Sequence, residues 1–144
     1  YTPKSIETLL NKESGLLGIS QLSNDCRALE KAKSEGNQQA QLALDIFCYH
    51  IAKTIASFTV PLGKLDALIF TGGIGENSAY IRSQVVKLLA IFSLELSEEE
   101  NLNKRFGEQG CISVNDSAKV LVIPTNEELV IAQDSYRLLC GEQI

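Results

Sequence analysis

The sequence has no methionine, no tryptophan, one histidine, three prolines and four cysteines in 144 residues. Each shortage excludes something. Without methionine, Tyr1 is not a translated start, so the sequence is expected to be the later part of a longer or processed chain. Cys26, Cys48, Cys111 and Cys140 are far apart and form no CxxC pair. With His50 as the only imidazole they do not supply the clustered ligands of a zinc site. They are expected to be reduced thiols of a cytoplasmic protein, since a domain this size needs no disulfide staples. Basic residues are outnumbered 13 to 18 by acidic ones, giving a net charge of −5. That speaks against a broad nucleic-acid or anionic-membrane surface. No apolar run approaches a membrane span, and no signal-peptide pattern opens the chain.

What is present fits one globular α/β domain with a sizeable core: 44% hydrophobic and 22% charged residues, no repeat and no low-complexity linker. A short helical pattern follows Pro3 and stops near Ser14-Gly15. SNDCRALEKAKSEGN predicts a capped, charged helix closed by Gly36. From about Gln38 to Thr59, Leu44, Phe47, Cys48, Ile51, Ile55 and Phe58 mark one face of a long helix that Pro61 and Gly63 end. Leu65 to Phe70, short, apolar and followed by glycines, predicts a buried strand. Ile81, Val85, Leu88, Leu89 and Phe92 then form a helical stripe. SLELSEEENLNKRFGEQG predicts a short strand and an exposed charged stretch. CISV and KVLVI predict two strands joined by an Asn115-Asp116 turn, and Glu127 to Leu139 a last helix. Parallel strands are expected around the glycines.

The informative segment is LDALIFTGGIGENSAYIRSQV, Leu65 to Val85. Glycines between a strand and a helix bring bare backbone to the carboxyl end of a sheet, where ligands of open α/β folds bind. Named nucleotide motifs fit poorly. Ser78 stands where the last glycine of GxGxxG belongs, and no lysine of a Walker loop lies between Lys64 and Lys87. On spacing alone the segment suits a tight turn or a nucleotide site equally.

TGGIGENSAYIR resembles the nucleotide-binding turn of the acetate kinases. LLNKESGLLGIS, NDCRALE, AQLALDIFCYHI and VIPTNEELVIAQD are similar to other segments of that family, in the same order. The resemblance covers nearly the whole chain and implies a ribonuclease-H-like α/β domain of the superfamily that holds acetate and sugar kinases, heat-shock ATPases and actin. It also implies that residues 1–144 are the C-terminal nucleotide-binding domain of an enzyme moving the γ-phosphoryl group of ATP reversibly to acetate. ATP or ADP, Mg²⁺, acetate, acetyl phosphate and a second copy of the chain are the implied ligands and partner.

Residue by residue, the resemblance places Gly73, Ile74, Gly75, Glu76 and Asn77 at the adenosine pocket, with Gly72 supporting the turn and Ile81 adding apolar contact. Asn77 alternatively caps the next helix. Asp25-Cys26-Arg27 matches the family's Asp-x-Arg motif, implying Asp25 at the nucleoside and Arg27 beside the base. By residue type alone, Asp25 complements a helix dipole and Arg27 is solvated. In PTNEEL the magnesium-associated glutamate falls on Glu127. Thr125 to Glu128 also fits a capping box that would occupy Glu128 and leave Glu127 free. The family's catalytic arginines, catalytic histidine and acetate pocket match nothing here, so no catalytic residue is assigned and the piece alone is expected to be inactive. His50 is read as a structural or surface residue. The alternatives to an enzyme part of this kind are a non-catalytic dimerisation or regulatory module of the same fold, and part of a propionate or butyrate kinase.

Overall fold

In the computed structural model residues 1–114 and 117–141 are described. The spine is the long helix α4, Gln38–Leu62, preceded by α1 (Pro3–Thr8), α2 (Gly15–Ser20) and α3 (Cys26–Ser34). Asn37 starts α4 by accepting a hydrogen bond from the Ala40 N–H at 2.9 Å. Gly63 ends it in the left-handed region at φ +76°. Pro61 does not stop it, because proline's fixed φ is helical and only one helical hydrogen bond is lost in the final turn. The buried stripe is small and apolar: Ala40, Ala43, Leu44, Cys48 and Ala52. Small side chains let α2, α3 and the later helix α6 (Ala79–Leu88) pack against α4. Phe58, expected on that stripe, is 59% exposed because the packed stretch ends before it. Ser14 and Gly15 do break the first pattern, but a π-turn, Leu9–Glu13, precedes the break and α2 resumes after it.

Among the described residues the sheet has three strands in the order β1-β3-β2. Strand β1, Ala67–Phe70, runs parallel to β3, Lys119–Val122, pairing Leu68 with Val120 and Phe70 with Val122. Strand β2, Gly110–Cys111, is antiparallel to β3, and an isolated bridge joins Leu96 to Ser113. The expected Asn115-Asp116 turn lies outside the described residues. Leu68, Phe70, Val120 and Val122 enter the core with Leu29, Leu44, Val85 and Ile112. Strand β1 is not buried on both faces. Ile69 is 51% exposed, and Ile123 just past β3 is 40% exposed, so one sheet face is packed and the other bare.

After β1 the glycines form helix α5, Gly72–Asn77, which is one turn and a half of helix rather than an open loop. On α6, Ile81, Val85 and Val86 are buried, and Leu89 follows them into the core. Leu88, expected there, is half exposed. The charged stretch contains α7, Glu98–Asn103, capped by Ser97. Helix α8 spans Glu127–Leu139 as expected, and none of its residues is buried. Among the described residues no helix is long and apolar enough to cross a membrane.

Candidate functional site

Helix α5 is pinned by one carboxylate. Glu76 Oε1 accepts hydrogen bonds from the N–H of Gly72 and the N–H of Thr125, each at 2.8 Å. The Thr71 and Thr125 hydroxyls meet at 2.6 Å beside it. Helix α5 and a loop 49 residues further along the chain are thereby joined beyond the ends of the parallel strands. Gly72 needs its glycine for φ +72°. A Cβ on Gly75 would sit 3.4 Å from the Phe70 backbone, so that glycine seats α5 against the end of β1. Gly73 has neither reason. Its φ is not left-handed, and a Cβ there would meet nothing within 4 Å. It faces open space on both sides of α5.

On one side is a cavity of about 640 Å³ between α5 and the start of α3. It brings together Asp25, Arg27, Gly73, Ile74 and Asn77. Asp25 caps α3 by accepting from the Arg27 N–H at 2.9 Å. It also pairs with the Arg27 guanidinium, Nη2 to Oδ2 at 2.7 Å and Nε to Oδ1 at 3.2 Å. The hydrogen bonds from Arg27 hold the Asp25 carboxyl below its ordinary value, and the same pair raises Arg27. The Arg27 side chain stays 90% exposed, a planar cation at the cavity rim.

Asn77 does not cap the next helix. Ser78 does, accepting from the Ile81 N–H at 3.0 Å while donating to Glu30 Oε1 at 2.6 Å. Glu30 and Ser78 thus tie α3 to α6 beneath the cavity, and both line it. Asn77 instead spans the α5 turn and a later loop. Its Nδ2 donates to the Gly73 carbonyl and its Oδ1 accepts from the Phe106 N–H, both at 2.9 Å. Ile81 does not line this cavity. It is 1% exposed and packed in the core, which removes the expected contact with a nucleoside.

Beneath α5 lies a group that the sequence did not single out. Arg82 is fully buried. It donates through Nη1 to the carbonyls of Gly75 and Glu76, both at 2.8 Å. Nη2 donates to the carbonyls of Asn101 and Lys104, and Nε to Asn101 Oδ1. All five donors of the fork are used. Burial, helped by repulsion from Arg105, brings its pKa down to about 10, so it remains a cation at neutral pH. Asn101 completes the junction by donating to the Ala79 carbonyl at 2.9 Å. The carbonyl ends of α5 and α7 converge on this cation.

On the other side of α5 a second cavity, about 380 Å³, is lined by Gly72, Gly73, Glu76 and the start of α8. The capping box expected on Thr125 is shifted by one residue. Asn126 is the cap, accepting from the Leu129 N–H at 3.1 Å, while Thr125 is used by Thr71 and Gly72. Glu128 is therefore not engaged in the cap. Glu127 and Glu128 both line the cavity, exposed, and neither makes a hydrogen bond or ion pair among the described residues. No group of three metal-ligating side chains occurs among the described residues. The two carboxylates suit a hard cation that keeps most of its water, not a closed protein cage.

The fold is shared with a solved acetate kinase and a solved propionate kinase. A Porphyromonas gingivalis acetate kinase matches 96% of the chain at TM-score 0.84 and 36% identity, the match covering 35% of that protein. A propionate kinase from Francisella tularensis subsp. tularensis matches 93% at TM-score 0.83 and 41% identity, covering 34% of that protein. The chain belongs to the acetokinase family, whose model matches residues 1–133. An acetate kinase of Shewanella woodyi is 58% identical over 139 residues, 96% of this chain and 35% of the relative. One of Shewanella putrefaciens is 55% identical over 142 residues, 99% and 36% respectively. The chain thus spans about a third of the length of the curated relatives it matches.

Proposed function

We propose that the chain is the C-terminal nucleotide-binding domain of a cytoplasmic kinase that transfers the γ-phosphoryl group of ATP to acetate, reversibly giving acetyl phosphate and ADP. The observation that carries this reading is Gly73, a glycine with no conformational or packing reason to be one, exposed to two cavities at the strand ends. The larger cavity takes the nucleoside. Gly73, Ile74 and Asn77 form its floor, and Asp25 and Arg27 its rim. Gly72, Gly75 and Glu76 hold the floor in place. The smaller cavity takes the phosphate side. Three carboxylates there would repel a polyphosphate, so a cation must stand between, and Glu127 anchors the hydrated Mg²⁺ that screens them. When bound, Mg²⁺ neutralises phosphate charge in phosphoryl transfer.

The bare sheet face at Ile69 and Ile123, and the apolar residues exposed along α8, support a further domain packing there. That domain would supply the acceptor pocket, and with it the choice between acetate and propionate. Phe58, Val60 and Leu62, exposed at the end of α4, support pairing with a second copy. Calorimetric titration with Mg·ADP tests the nucleotide reading, with saturable binding expected. An assay with ATP, Mg²⁺ and acetate tests the division of labour. No turnover is expected of these 144 residues alone, and sustained acetyl phosphate formation would falsify it.

A further inference from the structure

We propose that Phe106 is a wall of the nucleoside cavity that stacks on the base of a purine nucleotide, held in position by Asn77; this rests on the nucleotide reading above. Phe106 lies outside the core, 81% exposed, yet lines the same cavity as Arg27, Ile74 and Asn77. Its backbone is in the left-handed region at φ +56°, a conformation a bulky side chain adopts only under constraint. The constraint is visible on both sides. The Phe106 N–H is taken by Asn77 Oδ1 at 2.9 Å. Two residues earlier the Lys104 carbonyl is gripped by the buried Arg82 at 2.9 Å. The Arg105 guanidinium lies over the ring at 5.4 Å from its centroid.

A strained loop that spends its constraint on presenting an aromatic ring to a cavity gains nothing for folding, because the ring buries little. A flat partner in the cavity gives the ring a use. Aromatic faces stack on nucleobases, more strongly on the larger purines, and the guanidiniums of Arg27 and Arg105 add cation–π attraction. The same Asn77 amide that bridges Gly73 fixes the ring's loop, so floor and wall move as one unit.

The test is calorimetric titration of the protein and two variants, Phe106→Asn and Phe106→Tyr, with Mg·ADP and Mg·UDP. Asparagine tolerates the left-handed backbone and keeps the N–H for Asn77, so a loss in that variant belongs to the ring. Phe106→Asn is expected to weaken Mg·ADP roughly tenfold and to narrow the preference for ADP over UDP, while Phe106→Tyr stays within about twofold. An unchanged Mg·ADP affinity in Phe106→Asn, with the unsubstituted protein binding normally, overturns the stacking role and leaves the nucleotide reading standing. No binding of Mg·ADP to the unsubstituted protein at millimolar concentration overturns both.

Discussion

Arg82 meets Asn101 twice, through Nε at the side-chain oxygen (2.7 Å) and through Nη2 at the main-chain carbonyl (2.5 Å). The pair is buried, and it connects α7 to the carbonyl end of the glycine helix. Removing the guanidinium would leave several buried carbonyls without donors. Arg82→Met is therefore expected to destabilise the fold by about 3–5 kcal/mol, a fall of roughly 10–15 °C in Tm. Arg82→Lys keeps the charge but not the fork and should recover only part of the loss. Thermal unfolding of both variants checks this, and a Met variant as stable as the parent would show that the junction is dispensable.

The four thiols should separate into two classes. Burial raises Cys26, and pushes Cys48 up to about 12. Cys111 and Cys140 are exposed, and the hydrogen bond with Ser113 lowers Cys111. Reactivity follows accessible thiolate. A chromogenic disulfide reagent at mildly alkaline pH should thus modify Cys111 first and leave Cys26 and Cys48 protected until denaturant is added. Rapid modification of Cys48 in the native protein would mean that α4 does not pack as described.

Asp25 carries a pH signature. Its pKa lies below the ordinary 3.8 because Arg27 hydrogen-bonds the ionised form. A depressed folded-state pKa gives stability that is complete above the unfolded value and is lost as pH falls through the folded one. The cap and ion pair should therefore persist to below about pH 3.8. Carboxyl-carbon NMR titration should show an Asp25 midpoint under that value, moved upward in Arg27→Ala. A midpoint unaffected by that change would remove the pair.

Much of the fold is legible in periodicity and punctuation. Helix α8, the parallel β1–β3 pair, the ends of α3 and the start of α4 fall where the sequence places them, whereas α4 runs on through Pro61 to Leu62. The misses have physical causes. Leu88 and Leu89 are adjacent candidates for one stripe, and only packing decides between them. Thr125 and Asn126 are both good caps, and the contact between Thr71 and Thr125 breaks the tie. Ile81 shares the 3–4 residue spacing of Val85 and Leu89, so its burial was readable from the stripe. Arg82, Glu30 and Phe106 had no local signal, because each acts through partners far along the chain.

Glu127 and Glu128 stand side by side at the smaller cavity, and their hydrogen bonding does not rank them. The resemblance of PTNEEL to its family does, in favour of Glu127. Glu127→Gln is expected to raise the Mg²⁺ concentration needed for half-maximal ADP binding several-fold, and Glu128→Gln to change it little. The isosteric change leaves the Asn126 cap intact, so a shift reports on the ion. Equal effects in both variants would spread the role over the pair.

Gly73 offers the sharpest separation of ligand from fold. A methyl group there meets no protein atom, and alanine is the better helix former, so Gly73→Ala should leave stability unchanged or raise it by up to about 1 kcal/mol. On the proposed nucleotide reading the methyl would project into the space the nucleotide takes, so Mg·ADP affinity should fall about tenfold or more. Gly72→Ala is the control, because φ +72° makes alanine cost about 1 kcal/mol of stability. Paired denaturation and calorimetry on the two variants read both axes. A Gly73→Ala protein that is stable and binds Mg·ADP unchanged would return this glycine to an ordinary helical position and remove the observation on which the nucleotide reading rests.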